Sequence, residues 1–192
     1  MNVISPVVKE GDSAALPTIE YAYFVDGVAP EGVRTKARVN SGASATLDSV
    51  SFVDGFGRQI QSRVDAEPAG QQVVSNKFYD RLGRAAAESI PYFASYGNFS
   101  QPDVSVRNIS HVYDALDRET KTVNTDNTFK TAAYRLWNVT FTDENGHSRI
   151  QSKDAFDRIT DVYELNGGET YRTRYSRNSI LTALVAVWLA FE

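Results

Sequence analysis

The side chains that could do chemistry in this 192-residue chain are aspartates that recur in one short pattern. Each aspartate is followed by two residues, then by glycine or aspartate, then by arginine. The four copies begin at Asp54, Asp80, Asp114 and Asp154. Pairs of carboxyl groups can hydrolyse glycosidic bonds, one acting as acid and the other as base or nucleophile. The recurrence instead favours a structural role, because every aspartate occupies the same place in the same turn signal.

The repeated pattern predicts a β-hairpin turn. Aspartate at the first position of a type I turn accepts hydrogen bonds from backbone amides further along the turn. The fourth residue needs a positive φ, which glycine adopts without strain and aspartate tolerates. We also expect the apolar residue inside the turn to pack against the residue before the aspartate, as a small hydrophobic clasp. The predicted turn residues are Asp54, Gly57, Arg58, Tyr79, Asp80, Gly83, Arg84, Tyr113, Asp114, Asp117, Arg118, Asp154, Asp157 and Arg158.

The segments between these turns have the patterns of β-strands. Residues 19–25 are β-branched and aromatic, and residues 33–39 alternate apolar with polar or basic side chains. Asn145-Gly146 is a further hairpin signal, read as an ordinary hairpin tip. Residues 95–103 are rich in Gly, Pro, Ser and Asn, and they are expected to be the least ordered internal stretch. Together these patterns predict an all-β fold.

The repeated turn resembles the YD repeat of RHS/YD-repeat proteins. The closer resemblance is to the RHS-containing B components of bacterial insecticidal toxin complexes and related secreted toxins, across roughly residues 18–175. The segments that carry it are residues 52–58, 67–70, 79–84, 91–94, 143–147 and 171–175. The resemblance implies antiparallel long β-hairpins in a curled open sheet. In the full-length family members, such sheets close into a hollow shell around a toxic polypeptide.

The resemblance also implies a division of the chain and a function. Residues 1–17 are a linker or frayed start, 18–175 the RHS/YD-repeat sheet, and 176–192 a degenerate apolar end. The implied function is a non-catalytic structural fragment of the shell, whose partners are other RHS repeats of the same or a partner toxin chain. The family's autoproteolytic segment has no match here, so no protease activity is implied. Secretion as part of a longer bacterial protein is implied as well.

Two other functions remain open from the residues alone. A cell-surface carbohydrate-binding β-module is the alternative, because aromatic residues interleaved with polar ones can stack on sugars. A glycoside-processing enzyme is the third candidate. Exposed aromatic rings on one face would favour sugar binding, and aromatic rings buried between strands would favour a shell.

Composition and missing motifs argue against several further functions. With a net charge of −4, the chain lacks the excess of basic residues that is typical of nucleic-acid-binding proteins. The chain has no cysteine, and His111 and His147 lack metal-ligand spacing, so we expect no metal and no cofactor. Residues 1–16 carry no signal peptide. The apolar run at 180–191 is too short to span a membrane, and it predicts a terminal strand, a terminal helix or an altered end of the coding region.

Overall fold

The computed structural model describes residues 2–9, 12–25 and 27–176. The apolar run at 180–191 lies outside the described residues. Every regular element in the described part of the chain is a β-strand, and each strand pairs with its neighbours in antiparallel fashion. The predicted all-β class of antiparallel hairpins is therefore confirmed.

The described part of the chain forms fifteen strands. In chain order they are Asn2–Val7 (β1), Ile19–Phe24 (β2), Glu31–Arg38 (β3), Thr46–Val53 (β4), Gln59–Asp65 (β5), Gln71–Tyr79 (β6), Ala85–Ser89 (β7), Tyr92–Ser95 (β8), Asn108–Tyr113 (β9), Glu119–Val123 (β10), Phe129–Arg135 (β11), Asn138–Thr142 (β12), Ser148–Lys153 (β13), Ile159–Asn166 (β14) and Glu169–Arg174 (β15).

The chain divides into two compact units, the first covering residues 1–111. Its strands follow the order β1-β2-β3-β4-β5-β6-β7-β9. One edge of β6 is shared by two strands, because residues 77–79 pair with β7 and residues 71–74 pair with β8. β1 pairs with β2 along its whole length, within the stretch for which the sequence indicates a linker or a frayed start.

The core of the first unit lies on one face of β4, β5 and β6, and it is largely polar. Its buried apolar residues are Val50, Phe52 and Val74. Their buried neighbours on β5 and β6 are Gln61, Arg63, Gln72 and Asn76. On β5, the apolar Val64 is 49% exposed whereas Arg63 is 2% exposed. Polar side chains can be buried in this way only if other groups supply their hydrogen bonds.

Residues 96–102, here called the strap, cover this polar face, and together with the preceding Ser95 they supply several of those bonds. Phe99 packs edge-on against Phe52, with ring centroids 5.7 Å apart. The Arg63 guanidinium donates to the Ser95 carbonyl oxygen at 2.6 Å and to Ser100 Oγ at 3.0 Å. Gln61 Nε2 donates to the Ser100 carbonyl oxygen at 2.9 Å. The strap has no regular secondary structure, but these contacts fix it, so the expectation of a poorly ordered stretch is not met.

The second unit begins at residue 112 and is described to residue 176. From β10 to β15, each strand pairs with the next strand in the sequence. Because consecutive strands reverse direction, the turns alternate between the two ends of the strands. Turns 114–118, 136–137 and 154–158 lie at one end, and this border of the sheet is here called the lock edge. Turns 124–128, 143–147 and 167–168 lie at the opposite end. Among the described residues of this unit, only Thr122 and Val139 are buried.

Candidate functional site: interlocked repeat turns

The four predicted turns have one hydrogen-bond pattern, which the turn at Asp80 illustrates. The backbone N–H of Asp80 donates to the Arg84 carbonyl oxygen at 2.9 Å, and that of Gly83 donates to the Asp80 carbonyl oxygen at 3.0 Å. Oδ1 of Asp80 accepts the backbone amides of Leu82 and Arg84, both at 2.9 Å. Oδ2 accepts Nε of Arg84 at 2.7 Å. One carboxylate oxygen therefore fixes the turn while the other holds the arginine.

The turns at Asp54, Asp114 and Asp154 repeat these bonds. Nε of the arginine donates to Oδ2 of the aspartate at 2.8, 2.8 and 2.7 Å respectively. The fourth residue of every turn has a positive φ: +76° at Gly57, +85° at Gly83, +61° at Asp117 and +62° at Asp157. The two aspartates thus adopt the left-handed conformation, at a cost of about 1 kcal/mol relative to glycine.

The turn at Asp143 has the same framework, whereas the sequence indicated only an ordinary hairpin tip at Asn145-Gly146. Oδ1 of Asp143 accepts the amides of Asn145 and His147 at 2.9 and 2.8 Å, and Gly146 has a φ of +85°. Nδ1 of His147 lies 3.1 Å from Oδ2 of Asp143, in the place taken elsewhere by arginine. The spacing from aspartate to glycine was the available signal, and the histidine obscured it.

A sixth turn begins at Asn124. Its backbone N–H donates to the Thr128 carbonyl oxygen at 2.8 Å, and the N–H of Asn127 donates to the Asn124 carbonyl oxygen at 3.1 Å. Asn127 has a φ of +68°. Nδ2 of Asn124 donates to Thr128 Oγ1 at 3.0 Å, where the four repeat turns have an aspartate–arginine ion pair. The backbone geometry therefore forms without a guanidinium, and the carboxylate that caps it comes from the third residue of the turn, because Asp126 Oδ1 accepts the backbone amide of Thr128 at 2.9 Å.

Two of the arginines also join successive hairpins through a tyrosine, in an arrangement here called the Arg–Tyr lock. The Arg58 guanidinium lies 4.5 Å from the ring centroid of Tyr79, and the Tyr79 hydroxyl donates to the Gln59 carbonyl oxygen at 2.8 Å. In the second unit, Arg118 lies 4.2 Å from the ring of Tyr134. The Tyr134 hydroxyl donates at 3.2 Å to the carbonyl oxygen of the residue after Arg118. Each lock combines a cation–π contact with a hydrogen bond to backbone.

Tyr134 was not among the predicted site residues, because no aspartate follows it in the sequence. Its role shows only when β11 lies beside β10, with the ring over Arg118. Of the predicted tyrosines, Tyr79 takes part in a lock and Tyr113 is half-buried at the end of β9. The structure thus brings turn residues together in pairs along a sheet edge, rather than into one cleft.

The predicted hydrophobic clasp inside each turn is absent from the four repeat turns. The apolar residue points outward instead, with exposed fractions of 86% for Phe56, 74% for Leu82, 72% for Leu116 and 77% for Phe156. The two phenylalanine rings lie beside the arginine of their own turn, with Arg58 5.1 Å from the Phe56 ring centroid and Arg158 4.8 Å from that of Phe156. Geometry explains the error: the backbone of a tight turn directs this side chain away from both strands.

The turn bonds keep the repeat carboxylates ionised. The hydrogen bond from the Arg158 side chain lowers the pKa of Asp154 to about 2. The Arg118 side chain lowers the pKa of Asp114 in the same way, and the backbone amide of Arg84 is the main cause of the lowered pKa of Asp80. A glycosidase needs one carboxyl group whose pKa is raised. The repeat aspartates are shifted in the opposite direction, which suits permanent hydrogen-bond acceptors.

Within residues 2–9, 12–25 and 27–176, no group of three or more His, Asp and Glu side chains could hold a metal ion. The same part of the chain contains no helix with the length and apolar character needed to cross a membrane.

A family model described as a domain of unknown function, DUF6443, matches residues 28–153. This match covers well over half of the chain. The chain belongs to the DUF6443 family. No curated protein matches it.

Several solved structures share the fold of this DUF6443 chain. TcdB2-TccC3 without its hypervariable C-terminal region is 19% identical over 77% of the chain, with a TM-score of 0.69. TcdB2-TccC3-TEV is 18% identical over 80%, with a TM-score of 0.68. A Photorhabdus luminescens Tc holotoxin pore is 19% identical over 77%, with a TM-score of 0.68. The chain spans only 9%, 10% and 9% of these proteins, respectively.

Proposed function

We propose that this DUF6443 chain is a non-catalytic structural segment of an RHS/YD-repeat shell, within a longer secreted bacterial protein that encloses a toxic polypeptide. Its partners are other repeats of the same kind, on the same chain or on a partner toxin chain. Support comes from the fold shared with the TcdB2-TccC3 structures and from the repeat geometry.

The observation that carries the proposal is the Arg–Tyr lock. Each lock fixes a hairpin to the next hairpin that reaches the same edge, through contacts that recur in both units. Such a device extends a sheet by adding hairpins one after another, as repeat proteins do. A wall made in this way needs no cleft and no reactive side chain. The carboxylates with lowered pKa values are the acceptors that hold its turns.

Carbohydrate binding has less support. The most exposed aromatic rings of the four repeat turns, Phe56 and Phe156, lie at hairpin tips. Sugar stacking would instead need rings displayed together on one face of the sheet. Neither the family match nor the structures of similar fold supports a carbohydrate partner.

The proposal predicts further repeat turns in the coding sequence that flanks this chain. It also predicts that the longest natural polypeptide carrying the chain protects an internal segment from added protease. Arg58→Ala removes one lock and should make that segment cleavable at lower protease concentration. The control is Arg135→Ala, which alters an exposed arginine at a hairpin tip of the second unit.

Two results would overturn the proposal. One is a flanking sequence without any further repeat turns. The other is an internal segment that is digested as fast in the native protein as in its unfolded form.

A further inference from the structure

Three buried polar atoms in the described part of the chain make no hydrogen bond within the protein, and all three belong to residues of the face that the strap covers. They are Arg34 Nε, Asp65 Oδ1 and Gln72 Nε2. The Arg34 guanidinium lies 5.5 Å from the ring centroid of Phe24 and 5.4 Å from that of Tyr96, and these cation–π contacts partly compensate it. Buried polar groups in native proteins almost always have a partner, so Asp65 and Gln72 indicate a bound group.

Two residue pairs on β5 and β6 show where this group belongs. Gln61 lies directly opposite Asn76, and Gln61 Nε2 donates to Asn76 Oδ1 at 2.8 Å. Asp65 lies directly opposite Gln72 in the same pair of strands. Its Oδ1 is an acceptor and Gln72 Nε2 is a donor, yet the two atoms are not bonded to each other. Because side chains opposite each other on paired strands are neighbours, a small group between these two atoms would contact both.

Other bonds explain why Asp65 and Gln72 do not bond directly. Asp65 Oδ2 accepts the backbone N–H of Asp48 on β4 at 2.9 Å. Gln72 Oε1 accepts Arg63 Nε at 2.9 Å and the backbone N–H of Gly97 in the strap at 3.2 Å. One end of each side chain is therefore committed to another neighbour. The two donors at Oε1 also establish that the unpartnered end of the Gln72 amide is its NH2 group.

The chemistry of the two atoms selects the bound group. Gln72 has an exposed fraction of 0%, and Asp65 Oδ1 is closed to solvent, so the group must be small. Calcium and magnesium ions take oxygen ligands, whereas this position presents the Gln72 NH2 group, next to the positive charge of Arg63. An anion would meet the carboxylates of Asp65 and Asp48. A water molecule both donates and accepts, so it satisfies the two atoms at once.

We propose that one ordered water molecule is bound beneath the strap, where it accepts a hydrogen bond from Gln72 Nε2 and donates one to Asp65 Oδ1. The Tyr96 hydroxyl donates to Asp48 Oδ2 at 3.0 Å, next to Asp65, and its oxygen can accept the second proton of the water. Three hydrogen bonds are typical of internal waters. Since Gln72 also holds the Gly97 amide, one side chain binds both the water and the strap.

The test is a crystal structure of the purified chain at a resolution that shows ordered water. We expect density within about 3.2 Å of both Asp65 Oδ1 and Gln72 Nε2. Asp65→Glu lengthens the side chain by one methylene, so its carboxylate should reach Gln72 Nε2 and displace the water. Asp161→Glu is the matched control, because it makes the same change where Arg172 and Arg174 hold the carboxylate. In solution, magnetic relaxation dispersion should count one long-lived water fewer in Asp65→Glu and the native number in Asp161→Glu.

The strap should also control how long this water stays. Ser100→Ala removes the hydroxyl that accepts from Arg63 at 3.0 Å, so it loosens the strap without touching the water site. We expect the residence time of the water to fall at least twofold. Ser148→Ala, which removes a hydroxyl bonded to Thr142 in the second unit, is the control and should leave it unchanged.

Three outcomes would overturn the proposal. One is a direct hydrogen bond between Asp65 Oδ1 and Gln72 Nε2 in the crystal structure of the native chain. Another is a density peak with six or more oxygen neighbours at about 2.4 Å, which would identify a calcium ion instead. The third is the same number of long-lived waters in the native chain and in Asp65→Glu.

Discussion

The two units of this chain are built from the same hairpins but stabilised in different ways. In the first unit, a strap covers one sheet face, and Arg63, Gln61 and Gln72 are buried beneath it. In the second unit, almost every described side chain is at least partly exposed. Its stability must come from strand pairing, from the repeated turns and from the lock between Arg118 and Tyr134.

This difference separates two uses of polar side chains. Arg118 in the second unit lies at a hairpin turn, where it holds both Asp114 and the ring of Tyr134. Arg63 lies inside the first unit, and its hydrogen bonds go to neutral acceptors on Gln72, Ser95 and Ser100. Substitutions beneath the strap should therefore change the free energy of unfolding by a large amount, and substitutions at the turns should change it by smaller amounts.

The largest effect is expected for Arg63→Met. The substitution removes the donor from three buried or half-buried acceptors, so we expect the first unit to lose about 3–5 kcal/mol of stability. Hydrogen exchange read by mass spectrometry should show faster exchange in residues 34–102 and little change beyond residue 112. Arg149→Met, at an exposed arginine of the second unit, is the control and should cost less than about 0.5 kcal/mol. Equal effects of the two variants would refute the distinction between the units.

A smaller effect is expected from valine at turn glycines. Gly83 and Gly146 both have a φ of +85°, so Gly83→Val and Gly146→Val impose the same backbone strain, about 1–3 kcal/mol. A Cβ at Gly83 would also lie 3.1 Å from Arg58 Nη1, whereas a Cβ at Gly146 meets nothing within 4 Å. Gly83→Val should therefore lower the denaturant midpoint more, because it also disturbs a lock. Identical midpoints would show that the lock adds nothing to the turn.

Asp117→Gly and Asp157→Gly should each stabilise the second unit by roughly 0.5–1 kcal/mol, because glycine adopts positive φ without strain. The gain should be smaller at Asp157, whose Oδ1 accepts Lys153 Nζ at 2.8 Å in an exposed pair. Denaturant midpoints against Asp117→Ala and Asp157→Ala would separate relief of strain from loss of charge. If both glycine variants unfold more easily than the native chain, then backbone strain at Asp117 and Asp157 does not lower the stability of the second unit.

The smallest effect concerns pH. The pKa of Asp154 is lowered in the folded chain to about 2, below its unfolded value near 4. Its contribution is therefore complete above about pH 4 and is lost as pH falls through about 2. Asp154→Asn, which copies Asn124 of the sixth turn, should flatten the acid side of the stability curve. An unchanged acid limb in urea titrations between pH 5 and pH 2 would contradict this expectation.

The turns could be predicted from sequence because they are local. Aspartate, glycine and arginine make their decisive bonds within five residues, as at Asp80, Gly83 and Arg84. Local patterns also gave the all-β class. The same locality explains why the turns at Asn124 and Asp143 were predicted as turns but not as copies of the repeat, since Thr128 and His147 change the last residue of the pattern but leave the backbone bonds in place.

The polar core could not be predicted in this way. Along β5, alternate side chains lie on opposite faces of the sheet, so Gln61 and Arg63 lie on one face and Val64 on the other. The sequence pattern does not indicate which of these two faces is buried. That choice depends on the strap, whose Ser and Asn residues have the composition of a loose loop. Tyr134 was missed for a related reason, because its partner Arg118 is brought to it only by strand pairing.

The strap also has a consequence for the order of folding. Its contacts join residues far apart in the chain: Arg34 Nη2 donates to Asn98 Oδ1 across 64 residues, and Tyr96 to Asp48 across 48. Closing long loops costs more chain entropy than forming hairpins, and non-local contacts slow folding. We expect the hairpins of β10–β15 to gain amide protection in pulse-labelled refolding before the amides of Tyr96 and Gly97 do. The last step of folding would then bury Arg63. A folding intermediate that precedes this step would expose the Arg63 guanidinium on the uncovered face of β4, β5 and β6.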